Sequence, residues 1–420
     1  MSLLRAGFFV FSLAVLAFVL PLFGCMTGLK HYQAADEART RGEYDTAIEQ
    51  YTAAIEAGDL SKQQLAEAYH HRGGIYADKK DYDRAIGDYN EAIRLNPGYG
   101  DVYNDRGTIY RVKNDVDRAI EDFNEAIRLN PNDDYAYSNR GVAYDYRREY
   151  DRAIEDFNEA LRINPTLAPV YNNRGGAYHQ KKDYDRAIAD FNEAIRLAPK
   201  LMQAYYGRGL SYAKKKDYDH AIEDFDKAIY LNPTYILAYY GRADAYRDKN
   251  DYEHAIENYS EVVRMYPYGT GPYASRGLVR FYRAEFLAAA DDFSKAIELK
   301  IAWPHSPIWL YIARTRGGKD GRAELRKNAA KLKVGNITEK LVELFLDETS
   351  PDEVFRAAEN SDAAKRKETL CEAQFYLGEH ALLQGKKQEA LKLFKAALEI
   401  CPTDFVEYSG AKAELGWLEK

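Results

Sequence analysis

Asp183-Tyr-Asp-Arg-Ala-Ile-Ala-Asp-Phe-Asn-Glu-Ala-Ile-Arg-Leu-Ala-Pro199 has near copies from the first fifth of the chain almost to its end. Its Ala187 has counterparts at Ala85, Ala119, Ala153, Ala221, Ala255 and Ala289, spaced by 34 residues throughout. A fixed period of that length marks a stacked repeat array. Within the stretch, Ala187, Phe191 and Ala194 fall at i, i+4 and i+7, one face of a 3.6-residue helix, and Ile188 and Ile195 widen the apolar stripe. Asp183 and Asp185 stand at its start, where side-chain oxygens and negative charge favour exposed N–H groups, and Pro199 ends it. Upstream, Tyr171, Gly175 and Tyr178 repeat the spacing and predict a first helix whose glycine lets its neighbour approach. Two antiparallel helices make one unit, and the fold class is an all-α solenoid.

A chain of 420 residues would ordinarily divide into two or three domains, but a solenoid grows its core by stacking and escapes that rule. The net charge of −7 comes without a basic stripe, which argues against nucleic-acid binding through phosphates. Most of the 36 tyrosines fall in recurring packing slots, so they read as core residues rather than as a ligand-stacking surface.

Residues 1–24 carry one early positive charge, Arg5, then the apolar run Ala6 to Leu20 before Pro21, the architecture of an export signal. The segment ends Leu22-Phe23-Gly24-Cys25, which resembles a bacterial lipobox and implies lipidation of Cys25; an uncleaved membrane helix and an ordinary cleaved signal are the alternatives. A lipidated Cys25 would bear more than one acyl chain, enough for stable anchoring. Met26 stands where an aspartate would mark retention, so the resemblance implies the periplasmic face of the outer membrane, with inner-membrane anchoring as the alternative.

The slots of Tyr171, Gly175, Tyr178, Ala187, Phe191, Ala194 and Pro199 resemble the tetratricopeptide repeat, and the resemblance implies a right-handed superhelix of antiparallel helix pairs. About eight units are expected over residues 28–303. The first is degenerate, with Ala35, Ala38, Ala47, Tyr51 and Ala54 in the slots and four extra residues near Gly58 to Gln64 that read as a lengthened loop. The seventh copy after it, residues 270–303, departs at Arg280, where tyrosine is expected, and at Ile301, where proline is. Residues 304–370 break the period: Leu341, Leu344 and Phe345 form one helical face, Val354, Ala357 and Ala358 another, and Thr349-Ser350-Pro351 is a good helix start. A last repeat returns at residues 371–404, and Phe405 to Lys420 reads as a capping helix with Ala411, Leu415 and Leu418 inward, so that 371–420 is repeat plus cap. Ile308-Trp309-Leu-Tyr-Ile-Ala313, Leu341-Val-Glu-Leu-Phe-Leu346, Glu372-Ala-Gln-Phe-Tyr-Leu-Gly378 and Phe405-Val-Glu-Tyr408 resemble, in order and spacing, the NlpI type of outer-membrane repeat lipoprotein. That resemblance implies a dimeric periplasmic adaptor that brings a tail-specific protease to a peptidoglycan endopeptidase; the array here has many more regular units than that type.

Three residue sets stand out. Cys371 and Cys401 lie at opposite ends of the antiparallel helices of the last repeat, and an oxidising compartment would favour a disulfide; two buried thiols are the alternative. Arg72, Arg106, Arg140, Arg174, Arg208, Arg242 and Arg276 precede the glycine slot, and Asp88, Asp122, Asp156, Asp190, Asp224 and Asp292 follow 16 residues later. The constant offset predicts intra-unit ion pairs, Arg106–Asp122, Arg140–Asp156 and Arg174–Asp190 among them, with Asn258 the exception. The inner surface should come from first-helix residues off the packing face: Asn104, Thr108 and Arg111; Ser138, Val142 and Asp145; Asn172, Gly176 and His179. This face varies between units, as a groove for an extended peptide or a partner helix would, or as a solvated face would. No lysine replaces Asn104, Ser138 or Asn172, which argues against a carboxylate clamp.

No catalytic motif is present: no HExxH, no GxSxG and no CxxC. Gly318-Lys319-Asp320 lacks the first glycine and the Ser/Thr of a phosphate loop. His70 and His71 are adjacent and expected to point to different sides of a helix, and His220 and His254 recur in an exposed slot, so neither metal nor cofactor is expected. The expected function is a membrane-anchored scaffold for envelope proteins or peptides. The alternatives are a secretion or outer-membrane assembly scaffold and, from another class, an enzyme with an unusual site in residues 304–370.

Overall fold

A computed structural model describes residues 27–299, 305–330, 336–403 and 405–419, and these form helices without strands. The lipidation candidate Cys25 and the apolar run before it lie outside the described residues. None of the helices described is long and apolar enough to cross a membrane.

The chain forms two compact units, one up to Ala204 and one from Tyr205. The division falls inside the array and not at residues 303–304, where the period breaks. The reason is visible in the second unit: Leu278, Phe281, Ala289 and Phe293 of the last regular copy share one apolar cluster with Ile308, Trp309 and Phe375, so no core boundary exists there.

The first unit contains α1 (Thr27–Thr40), α2 (Tyr44–Ala57), α3 (Lys62–Asp78), α4 (Tyr82–Leu95), α5 (Gly100–Val112), α6 (Val116–Leu129), α7 (Asp134–Tyr146), α8 (Tyr150–Ile163), α9 (Ala168–Gln180), α10 (Tyr184–Leu197) and the start of α11 (Met202–Lys214). Each second helix starts and stops for local reasons. Asp183 caps α10 by accepting from the Arg186 N–H at 3.2 Å. After α4, α6 and α8, the side chains of Asn96, Asn130 and Asn164 accept from backbone N–H groups two residues on and turn the chain away from the helix. Between the helices of a unit the reversal uses left-handed residues: Lys80, Asn114, Arg148 and Lys182 have φ of 61°, 64°, 61° and 63°. The close approach of the two helices requires Gly141, where a Cβ would lie 2.7 Å from the Phe157 ring.

The four extra residues of the first unit are not a longer loop. Helix α3 has 17 residues against 13 in α5, so the insertion becomes one additional turn. Ser61 accepts from the Gln64 N–H while Gln64 reaches back to the Ser61 N–H, and this capping box supports the added turn.

The second unit continues from α11 with α12 (Tyr218–Leu231), α13 (Ile236–Asp248), α14 (Tyr252–Met265), α15 (Thr270–Tyr282), α16 (Phe286–Glu298), α17 (Ser306–Arg316), α18 (Arg322–Ala329), α19 (Asn336–Phe345), α20 (Pro351–Glu359), α21 (Arg366–Leu383), α22 (Lys387–Ile400) and α23 (Val406–Leu418). Helix α17 is buried on every side from Ser306 to Ala313, as an apolar helix must be. Its fully buried Trp309 meets the rings of Phe281 and Phe375 at 5.0 and 5.3 Å. Ser350 caps α20, with Pro351 in its first turn. Cys371 and Cys401 form a disulfide, their Cα atoms 4.8 Å apart.

Candidate functional site

The recurring arginines are spent on holding units together. Arg140 donates from Nε and Nη2 to the two carboxylate oxygens of Asp156 at 2.8 and 2.6 Å, and Arg106–Asp122 and Arg174–Asp190 repeat the arrangement. A bidentate pair with so little exposure has no room to grip a ligand. The third nitrogen, unremarked in the sequence, reaches the second helix of the preceding unit: Nη1 of Arg106, Arg140 and Arg174 donates to Asn90, Asn124 and Asn158 at 2.6, 2.7 and 2.6 Å. The signal was an asparagine 16 residues before each of these three arginines. In the second unit Arg242 exchanges the roles, with neutral Asn258 in its own unit and the carboxylate of Asp226 in the preceding one. Arg280, which occupies a tyrosine slot, adds a second guanidinium to Asp292 at 2.7 Å.

The face left over is the inner side of the first helices. It is laced by hydrogen bonds between residues 35 apart: Tyr32 donates to Glu67 at 3.2 Å, His70 Nε2 lies 2.7 Å from Asp105, and Asn139 donates to Asn104 at 3.0 Å. His70–Asp105 and Asn104–Asn139 join a groove slot to the residue just after the same slot in the following unit, and Tyr32 reaches a turn earlier because α3 carries the added turn, so the groove is wider than the i, i+4, i+7 stripe suggests. Thr108 donates to the Asn104 carbonyl at 3.0 Å, and Asn172 to Asn173 at 3.4 Å. Arg111 is half-buried with its Nε unpartnered, and burial raises the carboxyl pKa of Asp145. His179 packs on the Tyr184 ring at 5.4 Å, and Ser138, Val142 and Gly176 are half-buried.

The expectation for His70 and His71 needs correcting. Their rings lie 5.7 Å apart and both line one cavity of about 450 Å³ with Arg39, Asp78, Tyr89, Asp105 and Thr108. Adjacent helical residues diverge by about 100°, which still leaves both rings on the wall of this one cavity. His70 Nδ1 is 3.0 Å from the Tyr99 hydroxyl, and His71 Nδ1 is 3.2 Å from both the Tyr51 hydroxyl and Asp36. Burial, reinforced by Arg39, lowers the pKa of His71. The cavity thus offers imidazole, phenol, guanidinium and carboxylate groups together. No three His, Cys, Asp or Glu side chains among the described residues are placed to hold a metal ion together. His220 and His254 are exposed and stack on Tyr212 and Tyr246 at 5.1 and 5.0 Å, the position from which Arg152 and Arg186 cover Tyr144 and Tyr178. In the region with the alternative enzyme site, His305 is buried 3.3 Å from Thr338, and burial lowers its pKa to about 4.

Comparison with known proteins agrees with this architecture. Tetratricopeptide-repeat models match residues 66–99, 135–167, 168–201 and 203–235, and related models match 107–145, 236–268 and 371–404. Together these matches span more than half of the chain. The chain is similar to the lipoprotein NlpI homolog of Haemophilus influenzae, 29% identical over 146 residues, 34% of this chain and 46% of that protein. It therefore spans about half the length of that relative. Among solved structures it is similar to a tetratricopeptide repeat protein from Parabacteroides merdae, with 24% identity, a TM-score of 0.47 and coverage of 60% of this chain and 99% of that one. It is also similar to PilF of Pseudomonas aeruginosa, with 21% identity, a TM-score of 0.44 and coverage of 50% and 94%. With its period, its helix pairs and the matched models taken together, the chain belongs to the tetratricopeptide-repeat family.

Proposed function

We propose that this protein is a lipid-anchored scaffold of the bacterial envelope, which holds partner proteins on the inner face of its first helices and acts by proximity rather than by chemistry of its own. The observation that carries this reading is the contrast between a repeated framework spent on internal pairing and a variable inner face with a polar cavity at His70, His71 and Asp105. Such a face suits an extended peptide or a partner helix, and tethering two partners to one chain raises their effective concentration. The similarity to an NlpI homolog supports a finer version, in which a tail-specific protease is brought to a peptidoglycan hydrolase and the lipid on Cys25 holds the assembly at the periplasmic face of the outer membrane, with a second copy of the chain as a further partner.

The test is co-purification from envelope extracts with the detergent-solubilised chain. Recovery of a protease and a wall hydrolase, reduced at least several-fold by joint substitution of His71, Arg111 and Asn172 with alanine, supports the reading. Recovery of secretion or outer-membrane assembly components instead replaces the finer version with the assembly scaffold. Hydrolysis of peptidoglycan by the protein alone overturns the non-enzymatic reading.

A further inference from the structure

The last helix is held down by an excess of acid. Helix α23 lies flush against α21: a Cβ at Gly410 would fall 2.6 Å from the Phe375 ring. Across this seam α21 presents Glu372 and Glu379, and α23 presents Glu407 and Glu414, each pair seven residues apart and therefore on one helical face. Glu379, Glu407 and Glu414 are buried, at 0%, 4% and 2% exposure. A single guanidinium serves the inner pair: Arg316 of α17 donates to Glu379 at 3.4 Å and to Glu414, while its face rests on the rings of Phe281 and Phe286. Glu379 Oε1 and Glu414 Oε2 are buried without a hydrogen-bond partner among the described residues.

The outer pair has less to neutralise it. Glu407 accepts from the Tyr376 hydroxyl at 3.4 Å, and the group beside Glu372 is His305, at 3.9 Å. His305 is kept neutral near pH 7 by burial, and Glu368 adds a further negative charge on the side of α21. From α15, Tyr282 donates to the Val406 carbonyl, and from α19, Thr338 bonds to His305; neither brings a positive charge. Helix α22 contributes Lys395, which pairs with Glu419 beyond the seam at 3.1 Å. Among the described residues, four carboxyls thus share one permanent cation.

We propose that α23 is a proton-gated cap, latched to α21 while these carboxyls hold protons and loosened when they lose them. A carboxylic acid can donate to its neighbour across such a seam, whereas two buried carboxylates repel and cannot be hydrated. Burial and the facing charge of Glu407 raise Glu372 to about 7, burial raises Glu407 to about 7, and burial with Glu414 holds Glu379 well above the usual carboxylate range. Release of α23 uncovers the Phe375 ring that closes the end of the unit's core.

Hydrogen exchange of the full chain, with the α23 amides corrected for their intrinsic rates, tests this between pH 5.5 and 8. Opening of α23 should become at least about tenfold more frequent at the higher pH, while α9 stays level, since each pKa unit of differential protonation is a factor of ten. The variant Glu379→Gln with Glu407→Gln keeps one carboxylate for Arg316 and should hold α23 closed at both pH values. Equal protection of α23 across the range in the unaltered chain would overturn the proposal, as would an unchanged pH slope in a folded variant. If the variant does not fold, the unaltered profile decides alone.

Discussion

The regular units from α5 to α10 and the helices from α17 to α23 bury charge in opposite ways. In the first region each guanidinium is matched to one carboxylate with both oxygens used, and the match is repeated at Arg106, Arg140 and Arg174. In the second, Arg316 faces both Glu379 and Glu414, leaving oxygens without partners. The difference shows what repetition selects for. A pairing that every unit copies must be self-contained, because a surplus charge would be multiplied by the copy number, whereas a terminal seam occurs once and can leave its balance to protons.

The largest expected effect lies in the regular region. Arg140→Ala strands Asp156 and should cost about 3–5 kcal/mol in urea unfolding; a loss below 1 kcal/mol would mean that the two regions do not differ in how tightly charge is matched. Replacing Cys371 and Cys401 by serine opens a loop with a sequence separation of 30 and should cost about 3–4 kcal/mol, confined to the tryptophan signal. That signal is regional because Trp303, Trp309 and Trp417 all lie in the C-terminal part of the chain.

pH sharpens the contrast next. Folded-state carboxyl pKa values near 7 lie above the unfolded value of 4.5, so the stability these groups contribute is full below about pH 4.5 and is lost as pH rises through about 7. The tryptophan-detected transition should weaken by on the order of 3 kcal/mol across that window, and Glu407→Gln should remove much of the slope. Smaller effects test the regular framework itself. Gly141→Ala pushes a methyl group into Phe157 and should destabilise by about 1–3 kcal/mol. Lys182→Gly relieves a left-handed residue and should stabilise by up to about 1 kcal/mol in the same urea titration.

Much of the fold was legible because a 34-residue period repeats the same small-large-small face, and Ala153, Phe157 and Ala160 are indeed fully buried. The Arg–Asp pairs were legible for the same reason: a constant offset survives folding unchanged. What escaped depends on where helices cross. The Arg140–Asn124 link joins neighbouring units, and its asparagine looks like any polar residue on an exposed face. The added turn of α3 was hidden because Gly58, Asp59 and Ser61 resemble a loop, although Ser61 and Gln64 form a cap. His70 and His71 converge because the inner surface is broader than one helical stripe. Glu407 and Glu414 carry no sequence signal of burial, since the partner helix that desolvates them is set by tertiary packing alone.

The interlocking arginines also bear on how such a chain can change length. From α4 to α9 each unit offers the next an asparagine acceptor at the same place, Asn90 to Arg106, Asn124 to Arg140 and Asn158 to Arg174. Excision or duplication of one unit within that stretch therefore leaves the new neighbours as well matched as the old ones, like a zip fastener with identical teeth. Elsewhere the acceptor changes: Arg72 donates to Thr52, Arg242 to the carboxylate of Asp226 while its own unit supplies Asn258, and Arg276 to Ser260. At those contacts a transplanted unit would meet a different acceptor, so the units are interchangeable only where the asparagine recurs.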